Sequence, residues 1–296
     1  ASREVGEAAV VRLFQRLQAE PELAEGLNAS CPAATAAKLI YKAEGLEQLG
    51  SGAQDHKRSI DLNQRKLRAS RAFLAEQAGE DGRQVLNFCD ELMGSLAPAA
   101  LEALAGLKTF GPGLLGFHES KDFAVRFLLY PEHAAAESPG GIRCGEHVDS
   151  STCTVILQDG TGGLQAKLAG KWRDVCEPVF VMVGCVGDIL ANSRLQALPH
   201  RVVDAAANEL GIVPQRLSVI VFVDSDPEKS LKPLYTAPGE ALQHRDGLTK
   251  GELKEAITNF NFCRQAAPTP MPPENEEDGE NGENGSLTIL HALAGR

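Results

Sequence analysis

From Phe123 onward the chain breaks into short β-rich runs, and this constrains the fold more than any other feature of the sequence. FAVRFLLY, CTVILQ, GLQAKL, WRDVC, PVFVMVG and LSVIVFV follow one another, divided by the turn signals Ser138-Pro139-Gly140-Gly141, Asp159-Gly160-Thr161-Gly162-Gly163, Ala169-Gly170-Lys171 and Gly187-Asp188. Short strands in such number leave many edges, and a jelly roll deals with them by doubling the sheet. Alternate side chains then line the hollow between the two sheets. A lone Trp172 after a Gly-Lys turn is expected to pack in the core or at the rim.

The first 110 residues read differently. Glu4 to Gln18 places Val5, Ala8, Val11, Leu13 and Leu17 at near-helical recurrence, and Pro21 breaks the pattern. Further helices are expected over Ala34–Leu49, over Arg58–Gln77 ending near Gly79, and over Arg83–Leu107 with a restart at Pro98. These helices would buttress the sheets. Leu248 to Phe262 has the pattern of an amphipathic helix despite Gly251. The expected class is therefore α+β: a double-stranded β-helix (jelly-roll) core with N-terminal buttressing helices and a C-terminal helix. One domain over 1–264 would comprise a helical part at 1–122, the core at 123–224 and a helical cover at 225–264. Residues 265–286, rich in Pro, Glu, Asn and Gly, read as a disordered acidic linker, and 287–296 as a short apolar tail.

Composition narrows the partners. The 296 residues carry a formal charge of −11, of which six acids lie between Glu274 and Glu283, leaving about −5 for the body. An acidic body argues against a nucleic-acid surface, and no apolar run approaches the length of a membrane span. The seven cysteines show no CxxC spacing, which favours free thiols in a reducing, cytoplasmic setting over a disulfide frame or a structural zinc site. Numbering begins at Ala1 without a signal-like apolar segment, so a removed leader stays open. A monomer is the default expectation.

CGEHVDSSTCTVILQ, Cys144 to Gln158, sets His147 and Asp149 two positions apart at the mouth of a strand. On an extended backbone residues i and i+2 project to one face, so an imidazole and a carboxylate converge. His200, in LPHRVV, is a third candidate, and the chain between leaves room for two or three hairpins. Two histidines and one carboxylate on one face suit non-haem Fe(II). Hydrogen-bonded or surface histidines would give the same spacing. Arg216 and Ser218 flank Leu217 at the start of LSVIVFV, and that pair suits a carboxylate: the guanidinium fork meets both oxygens and the hydroxyl adds a bond.

Taken in order, these landmarks resemble the isopenicillin N synthase-like family of Fe(II)/2-oxoglutarate-dependent dioxygenases. The resemblance covers about a third of the chain, Phe123 to Asp224. RFLLYP is similar to the family's RxNYYP strand and GEHVDSSTCTVILQ to its GxxxHTDxxxLTLLxQ; GGLQ, the GxWxxV skeleton of GKWRDV, the Gly187-Asp188 turn, HRV and RLS match as they stand. Asn192 stands eight residues before His200, as the family's asparagine does. Leu128 replaces an asparagine of the family pattern, and its opening strand and helix are not recognisable here.

The resemblance implies an enzyme. His147, Asp149 and His200 would be catalytic and hold the metal; Arg216, Ser218 and Tyr130 would bind the far carboxylate of 2-oxoglutarate; Arg126 would face the primary substrate. A small organic molecule would be hydroxylated, desaturated or cyclised by dioxygen, releasing succinate and CO2, with ascorbate as a possible reductant. Two alternatives stand beside it: an iron oxidase needing no 2-oxoglutarate, in which Arg216 and Ser218 hold the substrate's own carboxylate, and an inactive jelly-roll ligand-binding protein.

Overall fold

The computed structural model describes residues 2–32, 38–46, 55–135, 141–244 and 247–255. The expected acidic linker, the apolar tail and residues 256–262 of the expected C-terminal helix lie outside them.

Two antiparallel sheets carry the β-rich half. A six-stranded sheet has the order β1 (Tyr41–Lys42), β2 (Arg58–Asn63), β3 (Ala124–Tyr130), β12 (Arg216–Val223), β6 (Cys153–Gln158), β9 (Val179–Val183). A four-stranded sheet has the order β5 (Ile142–His147), β10 (His200–Val203), β7 (Leu164–Leu168), β8 (Lys171–Asp174). Short pairs add β4 (His133–Ala134) with β11 (Ile212–Val213), and β13 (Ser230–Leu231) with β14 (Leu248–Thr249). The six-stranded sheet sends alternate residues to two different cores. Leu217, Val219, Val221 and Val223 of β12, with Val125, Phe127 and Leu129 of β3, face the helices and join the main hydrophobic cluster. Leu128, Tyr130, Ile156 and Met182 face the other way, into a second cluster completed by Cys144, Leu164, Ala166 and Val202 from the opposite sheet. The fold is the α+β, double-stranded β-helix architecture expected from the strand pattern.

The helices form one layer behind the larger sheet. α1 (Arg3–Ala19) is capped by Ser2, whose hydroxyl accepts from the Val5 amide, and buries Ala9, Val10, Leu13, Phe14 and Leu17. α2 (Pro21–Ala29) starts on its proline. α3 (Gln64–Gln77) is capped by Asn63. α4 (Gly79–Glu91) and α5 (Ala97–Ala105) are joined by a π-helical turn, Leu92–Leu96, with Pro98 in the first turn of α5.

Three expected helical stretches differ. Arg58–Asn63 is strand β2, and only Gln64–Gln77 of that stretch is helical. Within Ala34–Leu49 the described residues include strand β1 and no α-helix. Leu248–Thr249 is strand β14, with helical backbone at 250–255. All these strands are built by pairing with distant segments: β2 runs antiparallel to β3, with Asp61 opposite Arg126, and β14 pairs with β13. The local pattern of a basic, amphipathic stretch does not register such partners.

Candidate metal centre

His147 ends β5 and His200 begins β10, and the antiparallel register sets them directly opposite each other. Their rings lie 4.2 Å apart, centroid to centroid. Asp149 follows two residues beyond His147, and one potential ligand atom from each of the three residues lies within 4.8 Å of the others. His147 Nδ1 donates to the Gly145 carbonyl at 2.8 Å and His200 Nδ1 to that of Leu198 at 3.1 Å. Each donation leaves the Nε2 lone pair for a metal, and fixes the ring that carries it. Thr154 Oγ1 donates to Asp149 Oδ2 at 2.5 Å, while Asp149 Oδ1 stands 3.8 Å from His147 Nε2.

The loop that carries Asp149 is tied to the neighbouring helix. The amide of Cys185, first residue of α6 (Cys185–Leu190), donates to the Asp149 carbonyl at 2.7 Å, and that of Val186 to Ser151 at 3.2 Å. Asp188 in the same helix accepts from the Ala197 amide, Ser193 Oγ and His244 Nε2, which braces the loop leading to His200. Burial, then the adjacent His200, push the His147 imidazole down to about 3. A neutral imidazole is the form that ligates, so the donor set of two ring nitrogens and one carboxylate oxygen fits Fe(II) on one face with further positions left for ligands.

Arg216 and Ser218 lie on the same inner face of β12. Both are buried, with 1% and 3% of their surface exposed. Arg216 donates to the Gly162 carbonyl and, from Nη2, to Gln158 Oε1 at 2.9 Å; its Nε, and the Ser218 hydroxyl, have no hydrogen-bond partner among the described residues. Buried donors without acceptors are costly, and a carboxylate would satisfy both. Tyr130 is the register partner of Arg216 and is buried, with the Arg143 guanidinium over its ring at 5.4 Å; burial raises its hydroxyl above the ordinary tyrosine value. The structure therefore brings together the three candidate ligands, and sets Arg216, Ser218 and Tyr130 beside one another. Arg126 shares the inner face but pairs with Asp61, Nε to Oδ1 at 2.5 Å and Nη2 to Oδ2 at 2.9 Å. Trp172 sits at a rim between two cations, Lys167 at 5.4 Å and Arg201 at 4.2 Å.

Three participants escaped the reading of the sequence. Thr154 orients Asp149, Gln158 holds Arg216, and Asp61 holds Arg126. The alternation of CTVILQ could have found Thr154 and Gln158, since both share the inner face with Ile156. Asp61 could not be found that way, because the local pattern of its strand is that of a helix.

Comparison with known proteins agrees with this geometry. Residues 120–225 match the family model described as 2OG-Fe(II) oxygenase superfamily. A 2-oxoglutarate-Fe(II) type oxidoreductase of Aspergillus fumigatus is 30% identical over 141 residues, 45% of this chain and 40% of that protein. Scopoletin 8-hydroxylase of Arabidopsis thaliana is 34% identical over 143 residues, 46% of this chain and 36% of that protein. The chain thus spans about half or less of the length of these curated relatives. Among solved structures, a Neurospora crassa protein in complex with alpha-KG and thymine superposes with a TM-score of 0.63 at 21% identity, covering 86% of this chain and 83% of that one. The rice dioxygenase for auxin oxidation superposes with a TM-score of 0.62 at 20% identity, covering 87% and 81%. At such identities the likeness speaks for the fold alone. No described helix is long and apolar enough to cross a membrane. Residues 120–225 are thus similar to the 2OG-Fe(II) oxygenase superfamily, and the fold and the ligand cluster agree with that likeness.

Proposed function

We propose that the protein is an Fe(II)- and 2-oxoglutarate-dependent dioxygenase of the isopenicillin N synthase-like kind, acting on a small organic molecule as a single domain over 1–264. The observation that carries the reading is the cluster of one ring nitrogen each from His147 and His200 and an Asp149 oxygen, each side chain held by a hydrogen bond. With Fe(II), 2-oxoglutarate and dioxygen bound, the centre would supply the oxidising power to take hydrogen from a substrate carbon, with succinate and CO2 as co-products.

The chain's own residues account for orientation. His147, Asp149 and His200 would occupy one face of the metal, leaving the other face for co-substrates. Arg216 and Ser218 would grip the far carboxylate of 2-oxoglutarate, with Tyr130 lending a hydroxyl. Gln158 keeps the Arg216 fork turned inward. Leu128, Ile156, Met182 and Val202 keep the hollow apolar, which excludes water from the reacting groups. Because Asp149 occupies the carboxylate position, hydroxylation, desaturation or ring closure is favoured over halogenation. The name of the relative scopoletin 8-hydroxylase is in keeping with the first of these.

Anaerobic addition of Fe(II) and 2-oxoglutarate should produce a visible charge-transfer band. It should vanish in His147→Ala and Asp149→Ala, and admission of air to the wild type should release succinate. A wild-type protein with neither band nor succinate would overturn the proposal.

A further inference from the structure

Arg143 belongs to β5 of the four-stranded sheet, yet its buried side chain fastens the ends of two strands in the six-stranded one. Its Nη2 donates to the Pro131 carbonyl and its Nη1 to that of Pro214 at 3.3 Å. Pro131 directly follows Tyr130, and Pro214 stands two residues before Arg216. Tyr130 opposite Arg216 is the last rung of the β3–β12 ladder. Proline offers no N–H to prolong that ladder, so both carbonyls draw a donor from outside it. The guanidinium also lies over the Tyr130 ring at 5.4 Å, a contact that holds the ring by its face. One side chain thus bears on the residue after Tyr130, on the stretch before Arg216 and on Tyr130 itself.

Electrostatics adds to this. Burial pulls the Arg143 guanidinium below its ordinary value; Asp204, Tyr130 and Glu44 oppose the shift, and Arg216 adds to it as a like charge. Asp204 is a loose partner, its Oδ1 standing 3.7 Å from Arg143 Nε and 2.9 Å from His133 Nε2. Arg143 Nε makes no hydrogen bond among the described residues. Two buried guanidiniums, Arg143 and Arg216, thus attend one tyrosine, and a carboxylate set against its hydroxyl would be drawn by both.

We infer that Arg143 is a positioning residue for 2-oxoglutarate: it fixes the end of the β3–β12 ladder, and so the depth at which Tyr130 and Arg216 meet the far carboxylate. The inference rests on the proposed oxygenase reading and adds to it a residue that touches no part of the bound acid. Gly162 and Gln158 hold the Arg216 fork, while Arg143 holds the strand end that carries it. A binding group must stay within about 0.5 Å of its working position. With Arg143 replaced, the Pro131 and Pro214 carbonyls lose a donor, the Tyr130 face loses its cover, and the carboxylate end of the pocket loses its set length. The candidate metal ligands are oriented by other bonds, to Gly145, Leu198 and Thr154, so the metal end keeps its geometry.

The test is calorimetric titration of the full chain, loaded with Fe(II) under anaerobic conditions, with three acids. They are 2-oxoglutarate, its longer homologue 2-oxoadipate, and 2-oxobutanoate, which keeps the chelating end and lacks the far carboxylate. The wild type should prefer 2-oxoglutarate to each of the others by roughly tenfold or more. In Arg143→Gln the dissociation constant for 2-oxoglutarate should rise roughly tenfold while that for 2-oxobutanoate stays within about twofold, so the preference collapses. Arg143→Lys keeps the charge but not the fork that spans two carbonyls, and its preference should fall between the two. A merely structural role would weaken both acids alike. Thermal melting and titration with Fe(II) alone identify the folded variants, and Arg143→Lys decides the matter if Arg143→Gln does not fold. A wild-type preference retained in the folded variants, or equal losses for 2-oxoglutarate and 2-oxobutanoate, would overturn the inference. A wild type that binds none of the three acids would instead sink the oxygenase reading, a result that does not depend on any variant.

Discussion

Arg216 shows how one side chain can be both structural and functional. Its Nη1 and Nη2 donate to Gly162 and Gln158, while Nε and the neighbouring Ser218 hydroxyl are buried without acceptors. Burial also lowers the guanidinium from its ordinary value, offset in part by Tyr130 and Asp159. A group so enclosed gains most when a carboxylate joins it, since charge-assisted hydrogen bonds in a low-dielectric site are the strong ones. Arg216→Ala should therefore raise the dissociation constant for 2-oxoglutarate roughly 100-fold, equivalent to about 3 kcal/mol for two such bonds. Ser218→Ala should raise it roughly tenfold. Fe(II) affinity measured without 2-oxoglutarate should move little in either, because neither residue is among the three clustered donors. Equal losses of metal and 2-oxoglutarate binding would show that the two groups are not separate sites.

At the scale of elements, the metal-bearing loop depends on the close approach of α6. A Cβ placed on Gly184 would come within 2.3 Å of the Ser151 carbonyl oxygen and 2.8 Å of that of Asp149, both backbone atoms that cannot simply swing aside. Gly184→Ala should push this loop outward, costing roughly 1–3 kcal/mol in stability. It should also weaken Fe(II) binding more than a surface substitution of equal stability cost, as read by metal titration beside thermal melting. His147, His200, Arg216 and Ser218 are visible because each sits on a strand, and Asp149 because it follows two residues after His147 at the strand's end. Thr154 and Gln158 obey the same alternation. β1 and β2 were hidden for a different reason: RSIDLN runs straight into the Asn63 cap of α3, and only pairing with β3 makes it a strand. With β2 hidden, its Asp61, the partner of Arg126, is hidden too.

Over the whole molecule, the end of the described chain is fastened to the site by one charge cluster, in which Lys250 is buried and Lys254 exposed. Asp224, just after β12, forms ion pairs with Lys250 Nζ at 2.9 Å and Lys254 Nζ at 3.1 Å. Lys250 is 2% exposed and also donates to the Ser150 carbonyl at 2.7 Å, one residue beyond Asp149. Three distant segments thus share a single arrangement: the residues at 250–254, the end of β12 and the loop that carries Asp149. Burial alone would raise the Asp224 carboxyl, but Lys250 and Lys254 outweigh it and hold the group well below the ordinary carboxylate value. A depressed carboxyl contributes stability that is complete above its unfolded value, about 3.9, and is lost as pH falls through the folded one. Asp224→Asn leaves a buried lysine short of its partner and should cost roughly 3–5 kcal/mol at neutral pH. The gap between wild type and variant, measured by urea unfolding across the acid range, should hold steady down to about pH 4 and close below it. Because Ser150 adjoins Asp149, the variant should also bind Fe(II) less tightly at neutral pH. A variant of full stability with unchanged metal affinity would show that the segment carrying Lys250 and Lys254 folds independently of the loop it touches.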